Sequence, residues 1–474
     1  MKYLGLAALL GLVACGSSSN STPNTPTGGG DSGGSATTGG DSASVTGGTS
    51  TNTGGSTSGG TSQGGSSTTT TGGKGAATGG GKATGGSSAT GGTGAATGGS
   101  ATGGKGTVVT VPDPCIQSGQ CPVGVWTHVT PAKIDLTGTF DCGNFGTESV
   151  QVDPMAPSNL YTEFNCQGVY KSTDYGLTWQ GPINTGKNGA QVQDTAGGIV
   201  IPANGTTQPP VIYSAGIRGQ GTGIWKSVNG GVDWTNYPIT PSGARQDYYP
   251  PEIDPYDTEH LLMAGHEMST LVESKDGGKT WTAIPLDPGM AASIGTAALF
   301  FIDTGTASTT RTTWLWTATQ SGGIYGTWRT TNAGATWTHV DKNEHPHSTT
   351  QIYQPDGGGV VYMAGAYSDL GWGVLRSTDY GATWKHVGSG GNMTLVFGTA
   401  KNVYSMFGWA IGPGQTVDPG LQLTPQPGAG AWTALKTPAT MTQGPGHVAV
   451  TSDGTHSIIL AACYNGGLWR YIEP

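Results

Sequence analysis

The sequence predicts an all-β fold: a single seven-bladed β-propeller of four-stranded antiparallel blades, closed by strands from its N- and C-terminal ends. Three observations carry that expectation. First, an octapeptide returns five times, as Ser172-Thr-Asp174-Tyr-Gly176-Leu-Thr-Trp179, Ser227-Val-Asn229-Gly-Gly231-Val-Asp-Trp234, Ser274-Lys-Asp276-Gly-Gly278-Lys-Thr-Trp281, Thr330-Thr-Asn332-Ala-Gly334-Ala-Thr-Trp337 and Ser377-Thr-Asp379-Tyr-Gly381-Ala-Thr-Trp384. Self-similarity at a period of tens of residues marks stacked supersecondary units. Second, Trp432, in Gly430-Ala-Trp-Thr433, falls one interval after the last copy, and Trp126, in Val125-Trp-Thr-His-Val129, one interval before the first. Third, Gly467-Leu-Trp-Arg470-Tyr471 reads as a third strand with no fourth behind it, and the Trp126 segment supplies the missing one. Closure of this kind leaves only short, protected outer edges.

Residues 1–14 read as an export signal. Lys2 gives a positive n-region, Leu4 to Val13 an apolar h-region too short to span a bilayer, and Ala14 a small residue before the cleavage point. Leu12-Val13-Ala14-Cys15 resembles a bacterial lipobox, which implies lipidation of Cys15. Residues 15–106 are almost entirely Gly, Ser, Thr and Ala. Lacking apolar side chains to offset ordering entropy, they are expected to form a disordered tether with an r.m.s. span of roughly 50–60 Å. Residues 107–474 are the propeller. The net charge of −9 and the lack of any basic run argue against nucleic acid as a partner. Export permits disulfides. Cys115 and Cys121 bracket a short loop, Cys142 and Cys166 flank the first strands, and Cys463 is left over in a strand. Connectivity stays open at this level, and the spacings do not match a zinc site.

The fifth repeat shows the order of parts within a blade. Thr350-Gln-Ile-Tyr-Gln354 is a short strand, Asp356 to Gly359 a turn, Val360 to Ala366 a second strand and Gly373-Val-Leu-Arg376 a third. The octapeptide turn follows, and Thr383 to Val387 is the fourth strand. Inside that turn the Asp or Asn side chain bonds nearby backbone N–H groups and the Gly takes a positive φ. The motif resembles the Asp-box, or bacterial neuraminidase repeat. That resemblance implies a propeller of the sialidase and xyloglucanase type, with sortilin-type propellers more distant.

In the resembling families the ligand cleft lies opposite the repeat turns. Segments expected there are Arg245-Gln-Asp247-Tyr248-Tyr249-Pro-Pro-Glu252, Gly265-His266-Glu267-Met268, Lys342-Asn-Glu344-His345-Pro-His347 and Tyr367-Ser-Asp369-Leu-Gly-Trp372. Glu148, Glu163 and Asn165 join them from the first blade, and Asp194 and Arg218 from the second. Aromatic rings beside carboxylates and amides suit sugars, stacking on apolar faces while polar groups take hydroxyls.

True sialidase chemistry is not expected. The resemblance would demand three arginines at a substrate carboxylate. Of six arginines, Arg329, Arg376 and Arg470 share the third-strand position of Lys171 and Lys226, and Arg311 lies in a turn away from the cleft. The stretch from Cys142 to Lys171 resembles the opening blade of xyloglucanases, but Asn165 stands where that family has its catalytic Asp, and an amide is no general base. Glycoside hydrolysis needs two facing carboxyl groups. Asp247, Glu267 and Glu344 are the expected catalytic residues, with Glu252 and Asp369 as further carboxyls. Arg245, Tyr248, Tyr249, His266, Asn165, Arg218, Asp369 and Trp372 are expected to bind substrate. A lyase would instead use His266 or Tyr248 as base beside Arg245. His345 and His347 alone do not make a metal site, and no cofactor is called for.

The functional expectation is a monomeric, lipid-anchored propeller of the bacterial cell envelope, at the outer membrane or cell surface. It recognises a polysaccharide; whether it also cleaves it, by glycoside-hydrolase-like or lyase chemistry, stays open at this level. The alternative is a non-catalytic protein-interaction or assembly platform.

Overall fold

The computed structural model describes residues 108, 110–219, 221–239, 248–265, 270–291, 299–305, 311–321, 324–342, 351–355, 358–365, 373–387, 393–408, 416, 418–428 and 430–474. Seven antiparallel sheets form a propeller. Blade 1 comprises Thr147–Val152, Leu160–Phe164 and Gly168–Ser172, with Gln180 bridging Lys171 at the outer edge. Blade 2 is Thr195–Val200, Ile212–Gly219, Gly223–Ser227 and Thr235–Tyr237; blade 3 is Glu252–Asp254, Asp257–Ala264, Leu271–Ser274 and Thr282–Ala283. Blade 4 contains Leu299–Phe301, Trp314–Ser321, Ile324–Thr330 and Thr338–Asp341. Blade 5 contains Val361–Gly365, Gly373–Ser377 and Lys385–His386, with Tyr353 bridging Tyr362 on the inside. Blade 6 is Leu395–Gly398, Asn402–Met406, Gln422–Pro425 and Thr433–Ala434.

Blade 7 confirms closure by the two ends. Its inner strands His447–Ser452, Ser457–Ala462 and Leu468–Ile472 receive Trp126–His128 as the outer strand, with Trp126 opposite Tyr471. A strap before that strand reinforces the joint. Asp113 caps the short helix Pro114–Gln117 through Cys115 N and forms a buried ion pair with Arg470. The Tyr175 hydroxyl donates to the Val111 carbonyl. Disulfides join Cys115 to Cys121 and Cys142 to Cys166, leaving Cys463 buried and free.

The repeated tryptophans make the core by one rule: each packs on the preceding blade. Trp179 meets Ile458 and Leu460 of blade 7. Trp234 meets Tyr161 and Val169 of blade 1, and Trp281 meets Tyr213 and Ala215 of blade 2. Trp337, Trp384 and Trp432 continue onto blades 3, 4 and 5, and Trp126 onto Leu395 and Phe397 of blade 6. Truncating one such ring to Ala costs about 3–5 kcal/mol.

The octapeptide turn is self-contained. In blade 1, Ser172 Oγ donates to Asp174 Oδ1 and accepts from Gly176 N, while Asp174 accepts from Thr178 N and Thr178 Oγ1. Tyr175 (φ 56°) and Gly176 (φ 78°) both turn left-handed, and a Cβ on Gly176 would lie 2.5 Å from Leu460 Cδ1. That close approach, with the positive φ, requires glycine. In blades 2, 4 and 7 a basic residue on the third strand then fastens the turn of the next blade. Lys226 Nζ donates to Gly277 O (3.0 Å), Arg329 Nε to Tyr380 O (2.8 Å) and Arg470 Nε to Tyr175 O (2.9 Å). These are scaffold roles, as their shared position predicts.

Candidate functional site

Repeat turns and first-to-second-strand hairpins share one face of an up-and-down blade, so the starts of inner strands and the second-to-third-strand turns share the other. On that other face, three blades meet. Phe145 enters blade 1, Tyr249 enters blade 3, and both pack with Ala196 and Ile217 of blade 2. Two β-bulges lie here, between Thr147 and Ser149 in blade 1 and between Ala196 and Gly197 in blade 2. Bulges re-aim side chains at sheet ends; the extra residues are Glu148 and Ile217.

Two carboxyl groups on this side are raised toward or above neutral pH. Glu163, on the second strand of blade 1, is fully buried. Burial raises its carboxyl to about 8, against a hydrogen bond from Ser214 Oγ (3.2 Å), and Glu148 adds negative charge nearby. Its Oε1 has no partner. Glu252, the first residue of the blade 3 inner strand, keeps part of its surface in contact with solvent. Dense surrounding protein still pushes its carboxyl up to about 7. His447, at the start of the blade 7 inner strand, is driven by burial down to about 4 against a hydrogen bond with the Val150 backbone, so its imidazole is neutral at pH 7. Gln351 ties the inner ring together, accepting from Val448 N and donating to Val448 O, both at 3.0 Å.

Several predicted site residues have framework positions. Asn165 is fully buried; its Oδ1 accepts from Phe145 N (3.2 Å) and its Nδ2 donates to Gly197 O (3.1 Å). It joins the blade 1 turn to blade 2, and no part of it faces solvent. Tyr248 is core, packed with Ile239, Leu261, Met263 and Trp281, and burial raises its phenol. Tyr249 is buried in the three-blade cluster. Arg218 lies at the end of the blade 2 second strand, in register with Ala196. Asp247, Glu267, Glu344, Arg245, His266, Asp369, Trp372 and Cys15 lie outside the described residues, as do His345 and His347. A bridge between Tyr248 and Gly265 sets residues 248 and 265 side by side on blade 3. Among the described residues no group of three or more His, Cys, Asp or Glu is placed to hold a metal ion.

Chemically, Glu252 can deliver a proton at neutral pH to a group approaching from solvent. Glu163 can hold a proton but is sealed from solvent in this arrangement. Both are expected opposite the repeat turns from the sequence; nothing in it distinguished the open carboxyl from the closed one.

The fold is a β-propeller that carries two carboxyls of raised pKa on the side opposite its repeat turns. No protein-family model matches the chain. It is similar to xyloglucanase Xgh74A of Acetivibrio thermocellus, 26% identical over 222 residues, covering 38% of this chain and 26% of that protein. The chain thus matches about a quarter of that relative's length. Among solved structures it resembles the GH74 xyloglucanase of Xanthomonas campestris (13% identity, TM-score 0.45, 73% of this chain and 55% of that one). It also resembles YCF48 bound to D1 peptide (14% identity, TM-score 0.43, 73% and 98%). The sequence relationship is a partial one, to a fraction of a xyloglucanase.

Proposed function

We propose that this chain is an extracellular, lipid-tethered Asp-box propeller that binds a polysaccharide on the face opposite its repeat turns and hydrolyses it. The observation that carries this is Glu252: a carboxyl with solvent contact, raised to about 7, in a blade whose neighbouring segments supply further carboxyls. A glycosidase needs one carboxylic acid to protonate the leaving oxygen and one carboxylate opposite it. Glu252 takes the acid role. Asp247 and Glu267, one and two residues beyond the paired positions Tyr248 and Gly265, are the candidates for the carboxylate, with Glu344 the third. Arg245, His266, Asp369 and Trp372 are the proposed substrate contacts. The partial similarity to a xyloglucanase makes neutral β-glucans the first substrates to try.

Residues 1–14 are proposed as the signal peptide, Cys15 as the lipidated residue and 15–106 as the tether, with a monomeric propeller over 107–474. Cys15→Ser should move the exported protein from the membrane fraction to the soluble fraction. For the activity, the purified protein is screened against plant and microbial polysaccharides for released reducing ends and for unsaturated ends. Product from the wild type that Glu252→Gln lowers by about 10²–10⁴-fold supports hydrolysis. Unsaturated ends would replace it with a lyase. Binding without product would make the protein a lectin-like module, and neither would favour a protein partner.

A further inference from the structure

The repeat-turn face carries a second feature that the fold does not require. Where blade 1 turns from its first to its second strand across 153–159 and blade 3 across 255–256, blade 4 uses the twelve residues 302–313 and blade 2 the eleven residues 201–211. In repeat architectures such insertions gather on a binding face. Gln208 Nε2 pins this loop to blade 1 by donating to both Asp153 carboxylate oxygens, at 2.8 and 3.0 Å. Between the loop and the blade 3 hairpin lies a cavity of about 330 Å³, at the lower end of the range of small-molecule sites.

Its lining has a definite chemical character. Pro202, Pro210 and Tyr256 provide rigid apolar surface. Asn204 contributes an amide oxygen that is buried with no hydrogen-bond partner, a group with unspent capacity to accept. Lys226 is committed to Gly277 O and sits 5.1 Å from the Tyr213 ring centroid, and Glu259 acts electrostatically on it from the same wall. With Asp257 also present, no net positive charge is available for an anion. Apolar faces, an idle acceptor and balanced charge suit a neutral polyhydroxylated ligand, whose hydroxyls donate while its ring faces lie on proline and tyrosine.

We propose that this groove is a secondary glycan-binding site, separate from the candidate catalytic face, that holds a neutral β-glucan segment on the opposite side of the propeller. The choice of ligand class rests on the polysaccharide reading above. The test is hydrogen exchange of the purified full-length protein with and without cello-oligosaccharide and xyloglucan oligosaccharide, with an acidic oligogalacturonide for comparison. The expected result is protection within 201–211 and 255–259 by the neutral sugars alone. Asn204→Leu should weaken that binding by about five- to tenfold with the thermal midpoint unchanged. Thr206→Trp, at an exposed position on the rim, should block it. Protection confined to the opposite face, around 248–252 and 265, would overturn the groove and leave the catalytic reading standing. Loss of activity in Glu252→Gln with groove protection intact would separate the two sites. No protection anywhere would overturn the groove for these sugars, and protection by the acidic sugar alone would overturn its ligand class.

Discussion

The two faces of this propeller follow different logics. On the repeat-turn face the same hydrogen bonds recur: Ser172, Ser227, Ser274, Thr330 and Ser377 each accept from the glycine four residues on. Among the described residues of the opposite face no such set of hydrogen bonds repeats. Glu163, Glu252 and His447 occupy three blades without counterparts in the others, and their environments push their protons in opposing directions. Repetition encodes the scaffold, because every blade solves the same packing problem. Chemistry resides in what departs from the repeat.

The largest expected effect comes from breaking the regular face at ring closure. Arg470 is 2% exposed and pairs with Asp113 at 0%, while also donating to Tyr175 O and Cys121 Sγ. Arg470→Ala strands a buried carboxylate and should cost about 3–5 kcal/mol, read as a lower denaturant midpoint. Next is Gly176→Ala, which meets Leu460 in a left-handed turn and should cost about 1–3 kcal/mol. The same substitution at Gly278 should cost less, because a Cβ there would first meet the Tyr213 ring at 3.4 Å, an ordinary contact distance.

A smaller effect separates the regular pattern from its own exception. Blade 3 has Glu273 where blades 1, 2, 4, 5 and 7 carry Lys or Arg and blade 6 carries Leu423, and that carboxylate bonds buried His260 at 2.8 Å, with Asp254 on the other ring nitrogen at 3.0 Å. Burial alone would lower the His260 pKa; the two carboxylates override it and raise it above 6.5. A group raised on folding stabilises fully below its unfolded pKa and loses that contribution as pH rises through its folded value. Glu163 and Glu252 act in the same direction, from 4.5 up to about 8 and about 7. Thermal stability should therefore fall between about pH 5 and 8. Glu163→Gln should flatten that fall while leaving neutral-pH activity in place, since Glu163 is closed to solvent.

The regular face was legible because its chemistry needs particular residues at fixed offsets. A left-handed turn against a neighbour demands Gly176, and an inter-blade slot demands Trp179. The third-strand position of Arg470 likewise marked it as scaffold. The other face was legible only in part. Asn165 looked like a ligand contact because its position matches a catalytic one, yet its amide is consumed by Phe145 and Gly197. Tyr248 looked like a cleft aromatic because it sits among Tyr, Pro and Glu, yet its ring lies in the core. Burial of a lone residue depends on which blades close over it, and no periodicity records that. For the same reason Glu163 and Glu252 were indistinguishable until their surroundings were seen. The His260 triad left no repeat to find.

The most direct test of the proposed chemistry is the rate of reducing-end release from neutral β-glucans, followed against pH for the wild type, Glu252→Gln and Glu163→Gln. Activity that declines as pH rises through about 7, vanishes in Glu252→Gln and persists in Glu163→Gln is the predicted result. A Glu252→Gln protein as active as the wild type, or a wild type that releases nothing, would contradict it.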